Sequence, residues 1–160
     1  MKKIILALVA LTLAIGVAAQ DGKSLYGKFS DKQGVQAVYI SPAMFRMIGR
    51  IPDLNVGQDG VNVAPLLQSM SGFYLLSTEE EGIARDIYAE ADRFVKKGKY
   101  ELMLEAKDNG EVTRIFSVGT EKIISGLIML SRNGSETTFI AIDGNMDREL
   151  LEGMIAEAAK

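Results

Sequence analysis

The sequence predicts an α+β domain, a single mostly antiparallel sheet with helices packed on one face. Three observations carry this reading. Ile83, Ile87, Ala91, Phe94 and Val95 recur at helical spacing between two short apolar strands. After Lys107 the apolar period becomes that of strands and holds to Ile142. Asp108-Asn109-Gly110 and Asn133-Gly134 interrupt that run with residues that tolerate positive φ, as tight hairpins require.

In chain order, Lys2 and Lys3 precede an apolar run from Ile4 to Ile15, and Val17 and Ala19 suit a cleavage site. Residues 1–19 therefore read as a signal peptide that is removed, and the protein as exported, periplasmic or secreted. The apolar run is shorter than the about 20 residues a spanning helix needs, so no retained transmembrane helix is expected. With no cysteine to acylate, no lipid anchor is expected either. Residues 20–34 are polar and glycine-containing and read as a flexible leader, leaving 35–160 as one domain.

Val35 to Ile40 reads as a strand, and Ser41-Pro42 as a helix start, with serine capping and proline in the first turn. Met44, Phe45, Met47 and Ile48 make an apolar stripe, read as core packing, with an adaptable binding face as the alternative. Ile51 to Gly60 is a connector rich in turn residues. Ala64 to Ser69 is a short helix with Pro65 in its first turn. Phe73 to Leu76 is a strand, followed by Ser77 and Glu80 at capping-box spacing and a helix ending near Gly98. Leu102, Leu104 and Ala106 alternate with Glu101, Met103, Glu105 and Lys107, and Val112 to Val118 pairs back on them. Ile123 to Leu130 and Thr137 to Ile142 form the next hairpin, and a closing helix runs from Met146 to Ala158. The strand–helix–strand–strand beginning permits a ferredoxin-like element.

Composition excludes several chemistries. Without its first two lysines the chain has 16 basic residues against 21 acidic ones, so neither nucleic acid nor an anionic membrane is a natural partner. There is no cysteine and no histidine, which removes thiol catalysis, disulfides, histidine triads and the usual zinc, copper and haem ligands. No cofactor is expected. Asp143, Asn145 and Asp147 have the opening spacing of a calcium loop, but Arg148 stands where glycine is needed and Met154 where the bidentate glutamate belongs. Capping of the last helix by Asn145 or Asp143 explains the same letters. Asp53, Asn55 and Asp59 fail similarly. Glu79, Glu80 and Glu81 suit a helix start rather than a converging acid pair. Glu101 and Glu105 suit cross-strand pairing, with Arg114 in reach. Ser41, Ser77 and Ser125 lack both a nucleophile elbow and a Ser-x-x-Lys motif.

The features in VYISPAMFRMIG (Val38 to Gly49), SGFYLLST (Ser71 to Thr78) and YELMLEAKDNGEV (Tyr100 to Val112), with the leader and the strand–turn–strand–helix ending, give the chain its resemblance. It resembles the exported Bacteroidetes family called domain of unknown function family 4252. Members often carry a lipobox, which this chain lacks. The resemblance implies envelope signalling, through a genomic setting near sigma and anti-sigma factors, and it brings no catalytic residues.

If Leu102, Leu104 and Ala106 face the helices, Met103 points to the other side of the sheet. Tyr39, Met103, Phe116 and Met129 are then the candidate interaction face. The function expected is a non-catalytic envelope interaction or sensory module with an envelope protein as partner. The alternatives are a divergent carboxylate-dependent hydrolase and a protein binding lipid or a small apolar ligand.

Overall fold

The computed structural model describes residues 22–50, 55–56 and 61–158, with side chains described for 22–50 and 62–153. The signal-peptide reading falls outside these residues, as do Asp53 and Asp59.

The elements in order are α1 (Gly22–Phe29), β1 (Val35–Ile40), α2 (Pro42–Ile48), β2 (Asn55–Val56), β3 (Val61–Asn62), α3 (Ala64–Ser69) and β4 (Met70–Thr78). Then come α4 (Glu81–Lys97), β5 (Glu101–Asp108), β6 (Glu111–Gly119), β7 (Ile123–Asn133), β8 (Glu136–Asp147) and α5 (Arg148–Ala158). Six strands form one antiparallel sheet in the order β1-β4-β8-β7-β6-β5, and β2 and β3 make a separate small ladder. Helix α4 carries the chain from β4 to the far edge, and the meander β5 to β8 returns to insert β8 beside β4. A ferredoxin-like unit would put only β6 between β4 and β5. Here β8, β7 and β6 all lie between them, so that element is not formed.

The turn chemistry explains the meander. Asn109 at φ 46° and Gly110 at φ 91° supply the two positive-φ residues that bring Asp108 opposite Glu111. Gly134, at φ 58°, does the same for the pairing of Asn133 with Glu136.

Antiparallel partners share a face, so the register sorts the side chains. Tyr74, Ala141, Ile128 and Phe116 lie in one row, and Leu76, Phe139 and Leu130 in the next. All are buried and pack with Ile87, Ala91, Phe94 and Val95 of α4 and with Leu25 and Phe29 of α1. This is the core, and both helices lie over the same face.

Helix α1 corrects the leader reading. Gly22 to Phe29 contributes Leu25 and Phe29 to the core, at 7% and 1% exposure. Gly22 seats its backbone so closely on the sheet that an added Cβ would collide with that of Ala141. An eight-residue helix with only two large apolar anchors leaves little periodicity to read.

Two caps also move. Thr78, not Ser77, organises the start of α4: its Oγ1 donates to the Gly34 carbonyl (2.7 Å) and accepts from the Glu80 N–H (3.1 Å). Ser77 points to the opposite face, 3.1 Å from the Thr138 hydroxyl. At the last helix Asp147 accepts from the Leu150 N–H (2.9 Å), in place of Asn145 or Asp143. Met146, expected inside that helix, is a fully buried residue of β8. Ser41 caps α2 as expected, accepting from Met44 N (3.3 Å).

Candidate functional site

The face opposite the two core helices is the distinctive surface. One row across all six strands reads Val38, Leu75, Ile140, Met129, Ile115, Leu104. The adjacent row holds Ile40, Phe73, Ile142 and Leu127. None of these side chains is fully buried; Val38 and Leu104, on the edge strands, are 45% and 46% exposed. The next row, Gln36, Ser77, Thr138, Ser131 and Thr113, is polar and bounds the apolar area on one side. An apolar surface this wide with a polar rim is characteristic of a binding face.

The four residues expected to form an interaction face do not come together. Phe116 belongs to the core row, at 8% exposure. Tyr39 pairs with Tyr74 on the helix side, ring centroids 5.2 Å apart and stacked, and Tyr26 of α1 approaches both. Met129 lies at the centre of the open face. Met103 is the extra residue of a β-bulge in β5, between Leu102 opposite Phe116 and Leu104 opposite Ile115, and is 50% exposed. The bulge undoes the assumed alternation, because Leu102 faces the helix side while Leu104 and Ala106 face away. Leu75, Ile140 and Ile115 were the missed members. Their signal was consecutive apolar residues, as in Phe73–Leu76, Ile115–Phe116 and Phe139–Ile142, which mark stretches with two apolar faces but not which face is covered.

The Met-bearing stripe of α2 is only partly core. Phe45 is buried, whereas Met44 and Met47 are 43% and 61% exposed.

A cleft of about 520 Å³ opens at the end of the sheet where β5 begins. It is lined by Lys99, Glu101, Ser117, Thr120, Glu121 and Arg148, among others. Arg148 donates from Nη2 to the Thr120 carbonyl (3.1 Å), while its Nε and the Ser117 hydroxyl are buried without a protein partner. Three separate segments build this cleft, so no local motif announces it.

The other candidate groups have structural partners. Glu105 takes Arg114 Nε at 2.7 Å across the strands and Lys107 Nζ at 2.8 Å along its own. The Lys107 hydrogen bond, and then that of Arg114, hold the Glu105 carboxyl below its ordinary value, and Glu105 in turn raises Arg114. Arg114 also donates to the Tyr88 hydroxyl (3.0 Å), tying β6 to α4. Ser125 donates to the Val118 carbonyl (3.1 Å). Asp143, Asn145 and Asp147 lie along β8, an extended strand rather than a loop that wraps an ion. Among the described residues no cluster of acidic groups is arranged to hold a metal. No described helix is long and apolar enough to cross a membrane.

An α+β chain with one sheet, covered by α1 and α4 on one face and apolar on the other, is the class of protein this is. By its match to the family model over residues 26–154, it belongs to the domain of unknown function family DUF4252. No curated protein and no solved structure shows significant similarity to it.

Proposed function

We propose that this protein is a non-catalytic interaction or sensory module of the cell envelope that binds another protein through the sheet face opposite α1 and α4. The observation that supports it most is the apolar row from Val38 to Leu104, which spans six strands without a fully buried member. Leaving such a row in water forgoes about 25 cal/mol for each Å² of apolar surface, and a partner that covers it recovers that energy. The envelope assignment rests on the apolar, lysine-led pattern of residues 1–19.

The test replaces Met129 and Leu104 with serine and measures capture of the partner by crosslinking in native envelopes. Both side chains are solvent-accessible, so the fold persists while the capture falls at least tenfold. Undiminished capture by the folded double variant overturns the reading.

The cleft supports one alternative, a carboxylate-dependent hydrolase, because Glu101 and Glu121 share its lining. Hydrolysis of a glycoside or ester panel that is lost in both Glu101→Gln and Glu121→Gln would establish it; a rate unchanged by either variant would remove it.

A further inference from the structure

The sheet has two edges, and they are built differently. Strand β5 carries Glu101, Glu105, Lys107 and Asp108 and is broken by the bulge at Met103. Charges and bulges are the devices that keep edge strands from pairing with other chains. Strand β1 has none of them. Its six residues, VQAVYI, are uncharged, contain no proline, and pair with β4 in unbroken register from Val35 to Ile40. Every second position is exposed or half-buried on either side, and no described strand pairs with the outer side of β1.

The surroundings of β1 are polarised along its length. At its start, Glu79, Glu80 and Glu81 are exposed, and the Glu80 side chain lies against Gly34, the residue before the strand. Asp31 and Lys32 at this end offset each other. At the other end α2 follows directly, bringing exposed Arg46 and, just beyond, Arg50. An acidic start and a basic finish are self-complementary only when two copies run antiparallel. A two-fold axis then sets the glutamates of each copy beside the arginines of the other.

We infer that β1 is a self-pairing edge, and that a second copy of this chain adds its β1 antiparallel across a two-fold axis at Val38. In that register Ala37 lies opposite the partner copy's Tyr39, a small residue beside a large ring, and Gln36 opposite Ile40. Residues keep their faces under a two-fold perpendicular to the sheet, so Val38 meets Val38 on the open face. The apolar row of one copy runs into that of the other, making a twelve-strand sheet from two six-stranded ones. The pairing is independent of whether the open face receives another protein, although it would double the width of that face.

The absence of cysteine makes the test clean. In the purified protein, Val38→Cys places two thiols on directly opposed residues, with Cα atoms about 4.5–5.5 Å apart, inside the range a disulfide spans. Gln36→Cys leaves the thiols four residues apart along the strands, about 13 Å, beyond reach. Mild oxidation should give at least tenfold more covalent dimer from Val38→Cys than from Gln36→Cys. Equal yields, or no dimer from Val38→Cys, overturn the proposal. Sedimentation of the unmodified protein supplies a second readout. A small interface of this kind gives a dissociation constant on the order of micromolar. Association should weaken at least tenfold in Val38→Lys and also weaken in about 0.5 M salt, where the Debye length shrinks to a few Å. A chain that stays monomeric at about 1 mM, or a dimer indifferent to Val38→Lys, contradicts it.

Discussion

Leu75 and Leu76 are neighbours on β4, a strand paired on both sides, yet they point to opposite faces of the sheet. Replacing each with alanine therefore removes the same atoms from the two environments on which the account depends. Leu76 is 0% exposed, packed among Phe139, Leu130 and the α4 stripe. Its truncation loses transfer free energy and leaves a cavity, costing about 3–4 kcal/mol within the range seen for buried leucines. Leu75 is half-buried on the face opposite α1 and α4, where water can fill the space the side chain leaves. Only part of the transfer energy is lost, about 1 kcal/mol. Urea denaturation of the two variants against the parent measures the difference, with an unchanged slope showing that the same surface is exposed on unfolding. Equal costs above about 2 kcal/mol at both positions would show that a second layer packs on the open face, and the binding argument would fall with it.

Other perturbations test the local readings. Thr78→Ala removes a buried hydroxyl that bonds to both Gly34 and Glu80, and should cost about 1–2 kcal/mol by denaturant midpoint, whereas Ser77→Ala should be nearly neutral. Gly110→Ala forces a side chain into φ 91° at the β5–β6 turn and should destabilise by about 1 kcal/mol or more. Because Lys107 and Arg114 lower the pKa of Glu105 from its ordinary 4.5, the folded state binds this proton less readily than the unfolded chain. That contribution is present above about pH 4.5 and is lost as the pH falls through the lowered value. Glu105→Gln should therefore flatten a measured stability–pH curve below about pH 4.5 and leave its shape near neutrality unaltered. An unchanged acid limb in the variant would show that the pair has no such role.

The legible parts of the fold were those where the signal is local. The α4 stripe, the Asn109-Gly110 turn and the Ser41-Pro42 start are each set by a few adjacent residues, and each is found as expected. What sequence could not resolve depends on partners far along the chain. Strand β8 inserts between β4 and β7, a choice made by packing rather than by any residue of β8 alone. The bulge at Met103 shifts every later side chain of β5 to the other face, and no glycine or proline marks it. The bulge turns Leu104 and Ala106 onto the open face, whereas Phe116 and Tyr39 are placed by the registers of β6 with β7 and of β1 with β4. Phe116 and Tyr39 went to the helix side, and Met129 found Leu75, Ile140 and Ile115 as neighbours instead. The cleft was illegible for a related reason, since Glu101, Ser117 and Arg148 converge from two strands and the start of α5.

The central claim is that the face of the sheet opposite α1 and α4 receives another protein. A photo-crosslinking residue placed at Met129, the middle of that face, tests it most directly when compared with one at Asp86 on the exposed side of α4. In native envelopes position 129 should give one discrete adduct whose mass differs from that of two copies of this chain, and position 86 should give none. No adduct from position 129, or the same adduct from both positions, would contradict it.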